Sequence, residues 1–248
     1  MPARHRVLDP AARSPTKNNL CALAVMTKAP RAGQVKTRLV PPLSPEEAAQ
    51  LNVCFLRDTA TAIARACSTT ARGVGVYTPI GAEAVYIDIL PGDFELLPQR
   101  GDGFGDRLSF ATADLFQCGF ASVCLIDSDS PTVSADVYAE AVEMLSQPGD
   151  RVVLGPSDDG GYYLIGLKES RRELFERIDW STERVLEQTK QRARELSLDV
   201  SLLSTGYDVD DAATLCRLCD ELLSDQSERD LAPNTRKFLA ALTARKKL

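Results

Sequence analysis

A single α/β domain in three layers, with a mostly parallel central sheet between helices, is predicted by three observations. First, apolar runs of strand length alternate with helix-length segments along the whole chain, the pattern of successive β-α-β units. Second, one run, Val123-Cys124-Leu125-Ile126, is apolar without alternation and passes straight into Asp127, Asp129 and Pro131. Such a run marks a strand buried on both faces, and the proline stops its ladder. Third, 248 residues at 44% hydrophobic and 26% charged are ample for one large core.

Composition removes several function classes. A net charge of -6 provides no broad basic face for nucleic acid. No apolar run approaches the roughly 20 residues of a membrane span, so no membrane partner is expected. Residues 1–19 carry Arg4, His5, Arg6, Arg13 and Lys17 without an apolar core. They read as a disordered leader, not a secretory signal. The seven cysteines are scattered, which fits reduced thiols in a cytoplasmic protein. Cys216-x-x-Cys219 has no second pair and no histidine beside it, so zinc is disfavoured. His5 is the only histidine, and histidine-based acid–base chemistry is therefore excluded.

The elements follow in order. Residues 20–26 form the first strand. The loop after it, 27–39, holds Lys28, Arg31, Lys36 and Arg38 with no acid, a composition suited to phosphates. If this loop is extended, Lys36 and Arg38 face one side together. It is not a P-loop, because Gly-x-x-x-x-Gly-Lys is absent. Ser44-Pro45-Glu46-Glu47 starts a helix with a capping box, running to about residue 66 with Leu51, Phe55 and Ile63 inward. Residues 73–77 form a second strand, 80–90 a short helix and 95–97 an edge strand. Gly101, Gly103 and Gly105 then form a tight loop into a helix around 108–116. An ordinary loop-to-helix turn competes there with a ligand-approach loop.

After the central strand, Asp127 and Asp129 stand where ligands bind in open α/β sheets. They are suited to a hard divalent cation, or one of them caps the next helix. Ser134 caps that helix, which reaches about residue 146. Residues 152–154 form a strand, and Asp158-Asp159-Gly160-Gly161 turns into an apolar return strand. Ser181 or Thr182 opens a helix to about residue 196, and 199–203 form the last strand. Asp208, Asp210 and Asp211 precede a helix over 212–223, where acids are also favourable on dipole grounds alone. A polar stretch, 224–230, leads to a final helix over 233–242 and a basic tail.

Several stretches together carry a resemblance. Lys-x-Pro-x-x-Gly-x-Val-Lys-Thr-Arg-Leu at 28–39, Ser-Asp-Ser-Pro-Thr at 128–132, Gly-Pro-Ser-Asp-Asp-Gly-Gly-Tyr-Tyr-Leu at 155–164, Trp-Ser-Thr at 180–182 and Asp-Val-Asp at 208–210 occur in this order. They resemble a bacterial glycosyltransferase-like family of the nucleotide-diphospho-sugar transferase (GT-A) superfamily, the selenodomain-associated type. The opening is also similar to the deazaflavin-cofactor guanylyltransferases. The resemblance covers about residues 20–222 and implies a single-domain GT-A, Rossmann-like fold. It divides the chain into a leader, 1–19, a transferase-like domain, 20–223, and a C-terminal helix and tail, 224–248.

The resemblance implies a metal-dependent transferase with a nucleotide or nucleotide-sugar donor and a small-molecule acceptor. Asp129 and Asp210 match the positions of ligands for Mg²⁺ or Mn²⁺. Asp127 is a third candidate where relatives commonly carry a small or amide residue. Lys28, Lys36, Thr37 and Arg38 match the phosphate-binding loop, with Gly101 and Gly103 as further donor-site candidates. Asp159, with Asp158 beside it, is the candidate base for an acceptor hydroxyl. Glycosyl transfer is the leading expectation. Nucleotidyl transfer to a phosphorylated acceptor and nucleotide binding without turnover are the alternatives, and association into a homodimer stays open.

Overall fold

The first apolar run folds as β1 (Cys21–Lys28), an interior strand beside the middle of a seven-stranded sheet. The computed structural model describes residues 5–12, 19–67, 69–224 and 230–246. The other strands are β2 (Ala71–Thr78), β3 (Glu95–Pro98), β4 (Ser122–Ile126), β5 (Arg151–Pro156), β6 (Tyr162–Leu167) and β7 (Asp199–Leu202), in the order β3-β2-β1-β4-β6-β5-β7. Every pairing is parallel except those of β6, which runs antiparallel to both β4 and β5. That exception follows from the short Ser157–Gly161 connection, which is long enough for a hairpin and too short for a crossover. Strands β1, β4, β5 and β7 consequently all end at the same edge of the sheet.

Period-2 side-chain alternation divides the two central strands between two cores. Leu23, Val25, Cys124 and Ile126 pack with Leu56, Ile63 and Tyr138 under α1 (Pro45–Ala66) and α3 (Ala135–Ser146). Ala22, Ala24, Val123 and Leu125 pack with Leu108, Leu115 and Ala193 under α2 (Phe104–Gln117) and α4 (Val185–Glu195). This is the expected three-layer α/β sandwich, and it explains why β4 carries no polar alternation. Among the described residues no helix is long and apolar enough to cross a membrane.

Three local expectations change. The leader is not disordered throughout: Val7 bridges Leu96 of β3, Leu8 N–H donates to the Leu96 carbonyl, and Leu96 N–H donates to the Arg6 carbonyl. His5 is buried with its ring nitrogens 3.0 Å from the Phe94 carbonyl and 3.2 Å from that of Tyr86. Residues 1–4 and 13–18 of that leader lie outside the described residues. Neither Ser181 nor Thr182 caps α4, which begins at Val185; Ser181 has φ 63° and Thr182 Oγ donates back to the Asp179 carbonyl. The basic loop is not extended either, because Lys36 adopts a left-handed conformation (φ 49°, ψ 38°) and Thr37–Leu39 close a 3-10 turn.

The C-terminal helix α6 (Pro233–Lys246) runs past its expected end and, with α5 (Ala212–Leu223), shares a third core with α1 through Phe55, Leu218, Leu239 and Leu242. Its first turn is capped from another helix. The buried Asp58 carboxylate of α1 accepts from Asn234 N–H (3.0 Å), Asn234 Nδ2 (2.7 Å) and Thr235 N–H (2.8 Å). It satisfies donors that a helix start leaves open and complements the positive end of the dipole. Asp58→Ala should therefore cost roughly 1.5–3 kcal/mol, the range for hydrogen bonds to charged groups. Thermal melting should fall by roughly 3–10 °C; an unchanged melting temperature would show that α6 docks without the cap.

Candidate active site

Four loops leave the common edge of the sheet and bring the candidate residues together. The loop after β1 carries Lys36 and Arg38, and the loop after β4 carries Asp127 and Asp129. The β5–β6 turn carries Asp159, and the segment after β7 carries Asp208 and Asp210. Backbone hydrogen bonds hold these loops to one another. Val209 N–H donates to the Asp129 carbonyl (3.0 Å), Asp158 N–H to Gly206 (3.1 Å) and Leu186 N–H to Gly160 (2.8 Å). Gly160 has φ 89°, and a Cβ there would lie 2.2 Å from the Glu183 carbonyl oxygen. That glycine serves a close approach within the protein, not the approach of a ligand.

At the centre lies one buried cation between two aspartates. Lys36 Nζ donates to Asp129 Oδ1 at 2.8 Å, Asp210 Oδ1 at 3.0 Å and the Val209 carbonyl at 2.7 Å. Its side chain is 4% exposed. Burial works against the charge, but Asp129 and Asp210 outweigh it and hold the lysine above its usual pKa. Arg38 lies outside this centre, 73% exposed, with Nη1 3.7 Å from Asp210 Oδ2. Lys36 and Arg38 thus reach opposite oxygens of one carboxylate.

The acids differ in state. Asp127 accepts from Ser130 Oγ at 2.7 Å, and burial together with the Asp129 charge pushes its pKa up to about 8. Asp208 is raised to about 6 by burial, then by the charges of Asp210 and Asp159. Asp159 Oδ1 accepts from Gly161 N–H at 2.8 Å, in an exposed turn. Asp158 points elsewhere: it pairs with Arg217, which stacks on the Tyr207 ring at 3.8 Å.

Two cavities meet across the Asp129–Asp210 pair. The larger, about 390 Å³, is walled by Asp127, Asp159, Asp208, Phe104, Tyr162 and Trp180. The smaller, about 250 Å³, is walled by Lys28, Gln34, Lys36, Thr37 and Asn52. Arg38, Ser128, Asp129 and Asp210 border both. Neither Gly101 nor Gly103 borders them; Gly101 turns at φ 106° and Gly103 stands at the N-cap of α2. They form the loop-to-helix turn.

The aromatic surface of the larger cavity comes from two distant segments. Tyr163 is 2% exposed, packs where a Cβ on Gly155 would lie, and donates its hydroxyl to the Ser204 carbonyl at 2.8 Å. The open rings are Phe104, 54% exposed, and Trp180, edge-to-face at 5.0 Å. Gly105 admits Trp180, whose Nε1 lies 2.6 Å from where a Cβ would be. Trp180 is the only tryptophan in the chain, a signal that helix-cap reasoning passed over.

Among the described residues no group of three or more His, Cys, Asp or Glu side chains is arranged to hold a metal ion. The donor chemistry nevertheless fits one. Asp129 Oδ1, Asp210 Oδ1 and the Val209 carbonyl are hard oxygen ligands already converging on a cation, the ammonium of Lys36.

The state of Asp127 has a measurable consequence. Its folded pKa of about 8 lies above the ordinary carboxyl value near 4. Between those values the folded protein binds more protons than the unfolded chain, so stability falls as pH rises through that window. Asp127→Asn removes the titration. Its melting temperature should match that of the unaltered protein below about pH 4 and exceed it near pH 8, and parallel pH profiles would contradict this.

Comparison with known proteins agrees with the architecture. The structure is similar to that of a protein from Desulfovibrio desulfuricans G20 provisionally named a nucleotide-diphospho-sugar transferase. The TM-score is 0.80 at 28% identity, over 92% of this chain and 96% of that one. It is also similar to a 4-diphosphocytidyl-2C-methyl-D-erythritol synthase from Anaerococcus prevotii DSM 20548, with TM-score 0.54 at 11% identity over 84% of this chain and 97% of that one. A CMP:2-keto-3-deoxy-manno-octonic acid synthetase complexed with CTP matches with TM-score 0.51 at 10% identity, over 80% and 96% of the two chains. The two more distant structures share the fold alone, which is of the nucleotide-diphospho-sugar transferase (GT-A) type. No curated protein matches the chain. A family model covers residues 56–182, more than half of the chain, and the protein belongs to that family, described as an uncharacterized protein conserved in bacteria (DUF2064).

Proposed function

We propose that this chain is a nucleotide-dependent glycosyltransferase acting on a small hydroxyl acceptor. The observation that carries this reading is the division of the cleft. A basic compartment lined by Lys28, Lys36 and Thr37 adjoins an acidic and aromatic compartment lined by Asp159, Asp208, Phe104 and Trp180. Phosphates suit the first, where ammonium and hydroxyl groups donate. A neutral sugar and a hydroxyl acceptor suit the second, because aromatic faces pack on apolar sugar faces and carboxylates bind hydroxyls. A phosphorylated acceptor there would face several carboxylates and be repelled, which disfavours nucleotidyl transfer.

In this reading Lys36, Thr37 and Arg38 bind the donor diphosphate, with Arg38 at the junction of the two compartments. Asp129 and Asp210 would hold Mg²⁺ or Mn²⁺, which when bound offsets charge on the leaving diphosphate. Asp159 takes the proton of the acceptor hydroxyl. The acceptor oxygen bonds to the anomeric carbon as the bond from that carbon to the diphosphate oxygen breaks, and the nucleoside diphosphate leaves with the bonding pair. Phe104 and Trp180 position the sugar and keep water from the anomeric carbon. The order of domains fits this division, with residues 20–223 as the transferase unit and α6 as a buttress on α1.

Thermal-shift titration with a panel of nucleoside triphosphates and nucleotide sugars, each with Mg²⁺, tests the donor. A nucleotide sugar should raise the melting temperature more than the corresponding triphosphate. With the donor known, Asp159→Asn should lower turnover by about 10²–10⁴-fold, the usual contribution of a positioned base, with donor affinity unchanged. Full turnover in Asp159→Asn, or transfer only to a phosphorylated acceptor, would favour nucleotidyl transfer instead.

Arg38 and Trp180 supply a further check. Arg38→Ala should weaken donor binding by roughly 1.5–3 kcal/mol without altering melting of the free protein, because Arg38 is 73% exposed and carries little packing. Trp180→Ala should raise the acceptor or sugar KM. Calorimetric titration and steady-state kinetics separate the two, and early melting of Arg38→Ala would assign that arginine a structural role.

A further inference from the structure

We propose that Lys36 is the resident cation of the Asp129–Asp210 pair, so that a divalent ion enters only when phosphate draws the ammonium away. The inference rests on the nucleotide-dependent reading and deepens it, because it makes metal entry conditional on the donor. All three protons of the Lys36 ammonium have oxygen acceptors, in Asp129, Asp210 and the Val209 carbonyl. The ammonium also lies 5.4 Å from the centre of the Phe55 ring. The lysine backbone is left-handed at φ 49°, a conformation that persists in a non-glycine residue only where its surroundings hold it. Here Leu39, fully buried one short turn later, anchors the loop.

Charge completes the argument. The two carboxylates already face two cations, Lys36 on one side and Arg38 on the other. A free divalent ion would gain little from a pair already neutralised, and it would meet the ammonium in the same position. Like charges at contact distance in a buried site repel strongly, so one of the two must leave. The exit for Lys36 lies in the basic cavity that it lines beside Lys28 and Thr37. Phosphate oxygens placed there would replace the acceptors it gives up. Metal and nucleotide then raise each other's affinity by the same factor.

The test counts bound Mn²⁺ by electron paramagnetic resonance, without nucleotide, in the unaltered protein, Lys36→Met, Lys36→Arg and Lys36→Met/Asp129→Asn. Lys36→Met should bind Mn²⁺ at least tenfold more tightly than the unaltered protein. Lys36→Arg should stay weak, and the double variant should lose the gain. With inorganic pyrophosphate added, the unaltered protein should hold Mn²⁺ in a broadened spectrum distinct from that of Mn²⁺–pyrophosphate in buffer. Equal Mn²⁺ affinity in the unaltered protein and Lys36→Met, a gain that survives Asp129→Asn, or no protein-bound Mn²⁺ with pyrophosphate would each overturn the proposal. If circular dichroism shows Lys36→Met unfolded, Lys36→Gln replaces it, retaining a donor for the Val209 carbonyl. Tight binding of Mn²⁺ alone to the unaltered protein overturns the proposal without any variant. Failure of the glycosyltransferase reading shows separately, as no melting shift with any nucleotide, and does not alter the nucleotide-free Mn²⁺ titration.

Discussion

The ammonium of Lys36 ties three chain segments to one another through a single charge. It joins the loop after β1 to Asp129 after β4 and to Val209 and Asp210 before α5. Without a cation, the sheet edge would bring Asp129 and Asp210 together with nothing to offset their repulsion. The two carboxylates remain partly open to solvent, yet like charges so close together still repel. The left-handed turn at Lys36 and the burial of Leu39 follow from this demand: the side chain must reach inward while the chain continues outward. Arg38, two residues later, is released to the surface by the same turn.

A second constraint sets the other half of the cleft. The hairpin β5–β6 inserts an antiparallel strand beside β4, which carries Asp159 over the edge where β4 delivers Asp129. Gly160 lets this turn press against the backbone at Glu183, and Gly105 lets Trp180 press against α2. Two glycines therefore clamp the segment before α4 from both sides. Phe104 stands at the start of α2, and the loop that carries the partly buried Trp180 is pinned by these contacts, which suits a surface that must present a fixed face.

The parts that were legible in the sequence are those decided by neighbours close in the chain. The capping box at Ser44 and Glu47 forms as the spacing requires, and the unbroken apolar run of β4 is the strand buried between two cores. The acids after β4 and before α5 converge because parallel strands end at one edge, a property of the topology. Illegible were the contacts made across long separations. Nothing in residues 5–8 signals that His5 would be held by carbonyls of Tyr86 and Phe94. Nothing in the spacing of Lys36 and Arg38 distinguishes an extended loop from a left-handed turn, because alternation describes strands only. Tyr163 is buried in β6, and the open rings come from residues 76 positions apart in sequence, Phe104 and Trp180.

The pairing of Arg6 and Leu8 with Leu96 bears on how the protein behaves in company. Strand β3 is the last strand on its side of the sheet, and a terminal strand with free N–H and C=O groups is a template for another chain. Here Leu96 is already engaged on both its amide and its carbonyl, and His5 ties the covering segment down beyond it. At the opposite side β7 is only four residues long, with an exposed or half-exposed face throughout, and so offers little to copy. The two ends of the sheet are guarded by different means, one by an added stretch of backbone and one by brevity. Residues 5–8 act as a selvedge, the finished border that keeps the weave from taking up a stray thread.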